Sequence, residues 1–434
     1  MEHTNYSKEY VDIHKRLRRP TECREKKSLP YLDSSVHCFI HNSKNMTYLI
    51  GRDSYACEER TCEEYGATFP AEHVKEQPSD DQIERNITFP YLLLREGSPS
   101  VPLHQYKRVT ILLHGLNERT LLKYMPWAYH IWQRTQEPVV LFPLSFSINR
   151  VLPEWRKQMP KIHANREKER KIKRSHEFNA TISERLEPNP ERFFWGAEQS
   201  YWDIIDFVRE IRSGENEQLK QHFDSDARIN FLGYSSGGYL ALAHLAVNHE
   251  GLFSESRACL FASCVEMDDL RPASPYVVDE EAERALRELY VDYFDELPDE
   301  DAKNAPKGRM RHWLEYHPEG RWLCSFGGHL PNRKEKDRAN RESHLRKLAE
   351  RLLGIANTND MVMPWRRMRD VLLGDERDTG VRFKKLDLGI HEHPFVFPNY
   401  NQSESEFILG TIDWELYGDE FEQFISWIIE HLEK

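Results

Sequence analysis

Gly233-Tyr234-Ser235-Ser236-Gly237 lies between an apolar run of strand character, Ile229 to Leu232, and a run of helical character, Tyr239 to Val247. A serine with glycine two positions away on either side, at a strand-to-helix junction, has the form of a nucleophile elbow. So tight a turn drives the serine toward a strained backbone, and neighbours without a Cβ let other chain segments close in around it. Gly233 and Gly237 supply that room. The turn lifts the Ser235 hydroxyl out of the sheet edge, and the Ser236 amide opens a helix whose positive end can face a developing oxyanion. A glycine-rich connection without chemistry is the alternative reading. The apolar strand before the motif and the Ala/Leu-rich helix after it argue against that.

The surrounding pattern predicts the sheet that such a turn needs. Strands are expected at Ile87 to Leu94, Val109 to Leu113 and Pro138 to Leu144, with a helix over Leu121 to Gln136 between the last two. This β-α-β alternation implies a parallel sheet with right-handed crossovers. Further on, Trp202, Ile205, Val208 and Ile211 share one helical face. Strands are then expected at Ala258 to Cys264, Leu352 to Ala356 and Val381 to Leu388, and helices at Trp365 to Leu373 and Phe421 to Leu432.

Two detours interrupt the alternation, giving a core over 85–434 with insertions at about 151–195 and 266–320. The first holds a basic run from Arg156 to Arg174, in which Glu167 and Glu169 favour a solvated helix over a nucleic-acid or anionic-ligand patch. The second carries Ala282, Leu286, Leu289 and Tyr293 at helical spacing on an acidic background from Asp279 to Asp301. Detours that leave the carboxyl ends of sheet strands sit above the rim of a site, so both can serve as lids, and ordinary packing on a neighbouring helix is an equal alternative. Residues 1–84 form an N-terminal region of uncertain role, with apolar runs at Val36 to Ile40 and Thr47 to Ile50 that can add edge strands.

With 60 Lys and Arg against 72 Asp and Glu, the net charge is −12, which argues against a nucleic-acid partner. No run of 18 apolar residues offers a membrane span. Met1-Glu2-His3-Thr4-Asn5-Tyr6 lacks the basic-then-apolar order of a secretory leader, so cytoplasmic residence is expected. Seven cysteines, with Cys57/Cys62 and Cys259/Cys264 each too widely spaced for a CxxC pair, suggest reduced, buried thiols. The chain offers no statement on oligomeric state.

A serine hydroxyl needs a base within reach and a group to orient that base. Asn357-Thr358-Asn359-Asp360 directly follows the strand at Leu352 to Ala356, and Asp360 is the candidate acid; Asp268 and Asp269 are the reserve. Gly389-Ile390-His391-Glu392-His393-Pro394 follows the next strand and offers two imidazoles. His391, beside the flexible Gly389, is the preferred base, and His393, biased to extended backbone by Pro394, is the alternative. A metal site of His391, Glu392 and His393 is disfavoured, because successive residues on an extended segment face opposite ways. Upstream, the strand ending in His114-Gly115-Leu116 can bring its backbone to the substrate, with the Leu116 amide joining that of Ser236 as oxyanion donors and His114 supporting the loop. Asn117 and Arg119 either line the pocket or cap the loop.

The order His114-Gly115, Gly233-x-Ser235-x-Gly237, Asp360, His391 resembles the α/β-hydrolase superfamily over roughly residues 85 to 434, insertions excepted. The segment after His114 is Gly-Leu-Asn rather than the Gly-Gly-Gly run of one esterase and lipase branch. The resemblance implies an α/β fold with a doubly wound, mostly parallel sheet of about eight strands, in which Ser235, Asp360 and His391 act as nucleophile, acid and base. It further implies hydrolysis of a small-molecule carboxylic ester through an acyl-enzyme, with no metal or organic cofactor. A peptidase, thioesterase or acyltransferase would use the same three residues. A non-catalytic binding protein on the same scaffold is the remaining alternative.

Overall fold

The computed structural model describes residues 28–31, 34–46, 49, 78–97, 105–292, 317–323, 326, 334–374, 376–387 and 418–434. Among them nine strands build one sheet: β1 (Ser28–Tyr31), β2 (Ser34–Asn42), β3 (Thr88–Glu96), β4 (Tyr106–Leu113), β5 (Val139–Phe142), β6 (Phe223–Tyr234), β7 (Ala258–Phe261), β8 (Leu352–Asn357) and β9 (Arg382–Leu386). Their spatial order is β1-β2-β3-β5-β4-β6-β7-β8-β9. The first three pairings are antiparallel, and every pairing from β5/β4 to β8/β9 is parallel. From β2 onward this is the doubly wound, mostly parallel sheet of the α/β-hydrolase fold, and β1 extends its edge.

The principal helices are α1 (Met125–Thr135), α2 (Pro153–Ala164), α3 (Glu177–Leu186), α4 (Glu191–Ser213), α5 (Ser236–Val247), α6 (Glu280–Arg287), α7 (Lys334–Leu348), α8 (Trp365–Leu373) and α9 (Gly418–Leu432). A parallel sheet buried on both faces must present apolar side chains to both, so its central strands read as continuous hydrophobic runs. The two-residue period of the strands then sorts those side chains. Ile111, Phe231, Leu260 and Leu352 join the core under α4, α5, α7 and α8, whereas Leu112, Leu232, Phe261 and Leu353 join the core under α1 and α9. Trp127 of α1 is wholly buried, with its ring centroid 5.1 Å from Phe424 of α9 and 6.0 Å from Tyr234, the last residue of β6.

Several boundaries differ from the sequence pattern for local reasons. The strand predicted to Cys264 stops at Phe261, because Ala262 (φ 43°) and Cys264 (φ 60°) turn into left-handed conformation. The helix predicted from Leu121 begins at Met125 after a 3₁₀ turn, and Gln136 (φ 56°) closes it. The last predicted strand is narrower than expected, at Arg382–Leu386. The run predicted at Thr47 to Ile50 lies, apart from Leu49, outside the described residues, as does Tyr293.

The basic run is not a uniformly solvated helix. It forms α2 and a π-helical turn, Asn165–Glu169, within which Arg166 is completely buried. Arg166 binds both oxygens of Asp279, at 2.6 and 2.9 Å, and reaches Glu184 at 2.6 Å and Glu187 at 2.8 Å. Burial alone would lower its pKa, but hydrogen bonds and charge from those carboxylates raise it above the ordinary arginine value. Asp279 in turn caps the N-terminus of α6 through Ala282 N–H, and Asn179 donates to Ser274 O at 2.7 Å. The two detours are thus fastened to each other, with Leu186, Val278 and Ala282 as a small apolar cluster between them.

His244 and His431 are two of the histidines that this fold buries as neutral rings. His244 of α5 lies stacked between Tyr201 (4.3 Å) and Phe231 (5.4 Å), and desolvation pulls its pKa down to about 3. His431 of α9, which accepts from Arg382 and donates to Arg351 O, is likewise lowered to about 3, chiefly by burial. An unfolded histidine takes up a proton below about pH 6.5 while these folded rings stay neutral, so stability falls as pH drops from about 6.5 toward 3. Each such ring is expected to cost about 1 kcal/mol on going from pH 7 to pH 5.5. His244→Phe, which keeps the stacking, should remove about one proton from the pH dependence of urea unfolding; an unchanged slope would contradict the burial described.

Candidate active site

At the carboxyl end of β6 the chain turns sharply into α5, and the turn residue is Ser235, with φ 53° and ψ −120°. For a residue with a Cβ this conformation costs roughly 1–3 kcal/mol, so it persists only where the surroundings enforce it. The Ser235 amide donates to Phe261 O at 3.0 Å, and its carbonyl accepts from Gly238 N at 2.9 Å and from Ser263 Oγ at 2.5 Å. A Cβ on Gly233 would lie 2.5 Å from Gly237 O and 2.6 Å from Gly238 Cα; one on Gly237 would strike the Leu113 carbonyl. Both glycines are therefore required by close approach of backbone, as the motif implies.

The loop after β4 presses against this turn. A side chain at Gly115 would meet the Tyr234 ring at 2.9 Å and Ser235 Cβ at 3.3 Å. His114, fully buried, accepts from Leu144 N at Nε2 (2.8 Å), which assigns the proton to Nδ1 and makes it the donor to Gly115 O (2.7 Å). Burial, followed in smaller measure by Lys123 and Arg150 and opposed by the Gly115 bond, takes its pKa to about 3. In a trans peptide the N–H points opposite to the C=O, so holding the Gly115 carbonyl also orients the Leu116 amide. Ser236 Oγ contacts His114 O at 3.4 Å.

Below the loop is a network that the sequence pattern does not single out. Tyr124 Oη accepts from Gly115 N at 3.3 Å and donates to Glu118 at 2.8 Å, and Glu118 also pairs with the buried Lys123. The Lys123 ammonium sits 4.8 Å from the ring centroids of Tyr124 and Tyr234. Its pKa is lowered by desolvation, with Glu118 opposing. A carboxylate and an amine close to His114-Gly115 are the only trace of this arrangement in the linear chain. Ser263, hidden inside a run expected to be strand, is a second support the pattern missed.

Asp360 follows β8, two strands from β6. It is buried, and Oδ1 accepts from Val362 N (2.9 Å) and Met363 N (2.8 Å). Burial first, and the Asp360 charge second, raise the Tyr234 phenol well above its ordinary pKa, so this carboxylate acts electrostatically on the residue beside Ser235. The reserve acids are otherwise engaged at the surface: Asp268 pairs with Lys334 at 2.9 Å and Asp269 with Arg367 at 3.2 Å. His391 and His393, with Glu392, lie outside the described residues. Among the described residues no group of three His, Cys, Asp or Glu side chains could hold a metal ion, and no helix is long and apolar enough to cross a membrane. Cys38, Cys259 and Cys264 are buried free thiols.

A cavity of about 170 Å³ opens beside Gly115, Leu116 and Ser236. About half of its wall comes from the first detour and from α4, including Trp155, Ile182 and Phe194. Asn117 and Arg119 do both things the sequence left open: they line the cavity and tie the loop down. Asn117 Nδ2 donates to Phe178 O (2.8 Å) and Tyr276 O (2.7 Å), one carbonyl from each detour, and Arg119 donates to Glu177 O at 3.2 Å.

A family model described as a family of unknown function (DUF6051) matches residues 4–409. The chain belongs to that family. No curated protein matches the sequence. Among solved structures, the chain is similar to brefeldin A esterase, a bacterial homologue of human hormone sensitive lipase, at 10% identity and TM-score 0.42, covering 99% of this chain and 86% of that one. It is similar also to the Pyrobaculum calidifontis esterase (11% identity, TM-score 0.41, 98% and 90% coverage) and to carboxyl esterase 2 of Tuber melanosporum (11%, 0.40, 79% and 80%).

Because a methyl at position 237 would collide with two backbone carbonyls, Gly237→Ala should destabilise the protein by about 1–3 kcal/mol. Urea unfolding measures this. An unaltered midpoint would show that the turn is not so closely packed.

Proposed function

We propose that the protein is a serine hydrolase that cleaves a carboxylic ester through an acyl-enzyme on Ser235. The observation that carries this reading is the strained conformation of Ser235, held at a strand-to-helix turn beside a cavity. Strain of this kind is maintained where a hydroxyl must be presented at a defined place. In the proposed reaction His391 accepts the Ser235 proton as the hydroxyl attacks the ester carbonyl, and Asp360 orients the imidazole. His393 is the alternative base. The amides of Leu116 and Ser236 receive the oxyanion, and the His114 bond to Gly115 O supports that role by fixing the peptide to which the Leu116 amide belongs. The protonated base then returns its proton to the leaving alcohol, and water, deprotonated by the same imidazole, releases the acid. Residues 1–84 are proposed to act as an edge extension of the sheet and the two detours as a cover over the cavity.

Ser235→Ala should abolish ester turnover and fluorophosphonate labelling while leaving the thermal unfolding midpoint near that of the parent. Asp360→Asn should lower kcat by a factor on the order of 10⁴, through loss of the correct imidazole tautomer. Retention of esterase activity by Ser235→Ala would sink the assignment. Peptide mapping of the labelled residue gives an independent check.

A further inference from the structure

Arg150 and Asp203 of α4 are both wholly buried and pair at 2.8 Å. Three further bonds fix the guanidinium: Nε donates to Asn86 Oδ1 at 3.0 Å, Nη2 to Asn86 O at 2.9 Å and Nη1 to Pro143 O at 3.1 Å. Its flat face lies on the Phe89 ring, 3.7 Å from the centroid. Asp203 is held as firmly, since Oδ1 accepts from Ser43 Oγ at 2.5 Å and from Asn45 Nδ2 at 2.9 Å. A buried ion pair contributes little net stability over an apolar pair of the same volume. Its place behind the Gly115-Leu116 loop gives this one a second use.

Pro143 O and Leu144 N–H are the two ends of one peptide unit. The carbonyl accepts from Arg150, and the N–H donates to His114 Nε2 at 2.8 Å. Gly115 O and Leu116 N–H are likewise the ends of one peptide, and that carbonyl accepts from His114 Nδ1 at 2.7 Å. The bonds therefore run in one direction, from guanidinium to peptide to imidazole to peptide. They end on the amide of Leu116, a residue that lines the cavity together with Ser236. Each donation draws electron density from its acceptor group and makes the N–H at the far end of that group a stronger donor. A cation at the head of the chain adds to this polarisation, in a core where the dielectric is low.

We infer that Arg150 is a positioning residue of the hydrolytic site, which orients and polarises the Leu116 amide toward the oxyanion through the Pro143-Leu144 peptide and His114. The inference rests on the reading of Ser235 as nucleophile and of Leu116 as an oxyanion donor. It also gives the N-terminal region a part in the reaction, because Ser43 and Asn45 hold the carboxylate that holds Arg150.

Two variants of the full-length protein test this. Arg150→Lys keeps the charge, but an ammonium cannot reproduce the planar fork that spans Asn86, Asp203 and Pro143. The double variant Arg150→Met/Asp203→Leu removes both charges together, so that neither is left buried alone. In each, kcat on 4-nitrophenyl butyrate should fall about tenfold or more, with KM within about twofold of the parent. Inhibition by hexyl trifluoromethyl ketone, whose adduct with Ser235 carries an oxyanion, should weaken by the same factor as kcat/KM. A partly unfolded population would instead lower kcat and leave the inhibition constant unchanged. A crystal structure of the parent with the ketone bound makes the test independent of how the variants fold: the oxyanion should lie about 2.7–3.1 Å from Leu116 N, with the Arg150 and His114 bonds intact. An oxyanion out of reach of that amide would overturn the inference. So would unchanged kcat and ketone affinity in a folded Arg150 variant, and with Ser235 still labelled by fluorophosphonate the nucleophile reading would stand. A parent protein neither labelled nor active would remove both together.

Discussion

The conformation of a single residue organises the structure. Ser235 occupies a region of backbone space that disfavours any side chain, and three hydrogen bonds to its main chain, from β7, α5 and the Ser263 hydroxyl, hold it there. The bonds to Phe261 and Ser263 need β6 and β7 to pair in register, and β4 must lie close enough for Gly237 to rest on the Leu113 carbonyl. The strain therefore depends on the assembled centre of the sheet, where both faces are covered and the strands cannot relax. Burial of the two apolar cores offsets the roughly 1–3 kcal/mol stored at the turn many times over.

The loop after β4 depends on the same centre. His114 is kept neutral by complete burial, and only as a neutral ring can it accept from Leu144 while donating to Gly115. Tyr124 and Glu118 hold the other side of Gly115 and tie it to Lys123. The result is a loop whose peptide planes are set by side chains from its own vicinity and from β5's exit, rather than by a glycine run. Above it, the Arg166–Asp279 pair joins two segments more than a hundred residues apart in sequence, so the cavity wall behaves as a single fastened unit.

Legibility followed the reach of the interactions involved. The continuous apolar runs of β4, β6 and β8, and the glycines around Ser235, arise from contacts that a sheet covered on both faces and a tight turn must make, and they were readable. The end of β7 was not, because the left-handed turn at Ala262 and Cys264 serves a hydroxyl contact with the Ser235 carbonyl, which no local pattern announces. Arg166 was misread for a similar reason. Its neighbours in sequence are charged and solvated, while its partners Asp279, Glu184 and Glu187 come from elsewhere in the fold.

By itself the sequence determined the fold class, the position of the strained serine and the loop that faces it, since those follow from short-range periodicity and from the steric demands of glycine. Tertiary structure alone decided which buried charges meet, where the cavity lies and that arginines line its apolar walls. Those features depend on side chains brought together from distant segments, and a long side chain's surroundings are fixed by packing in three dimensions rather than by its neighbours along the chain.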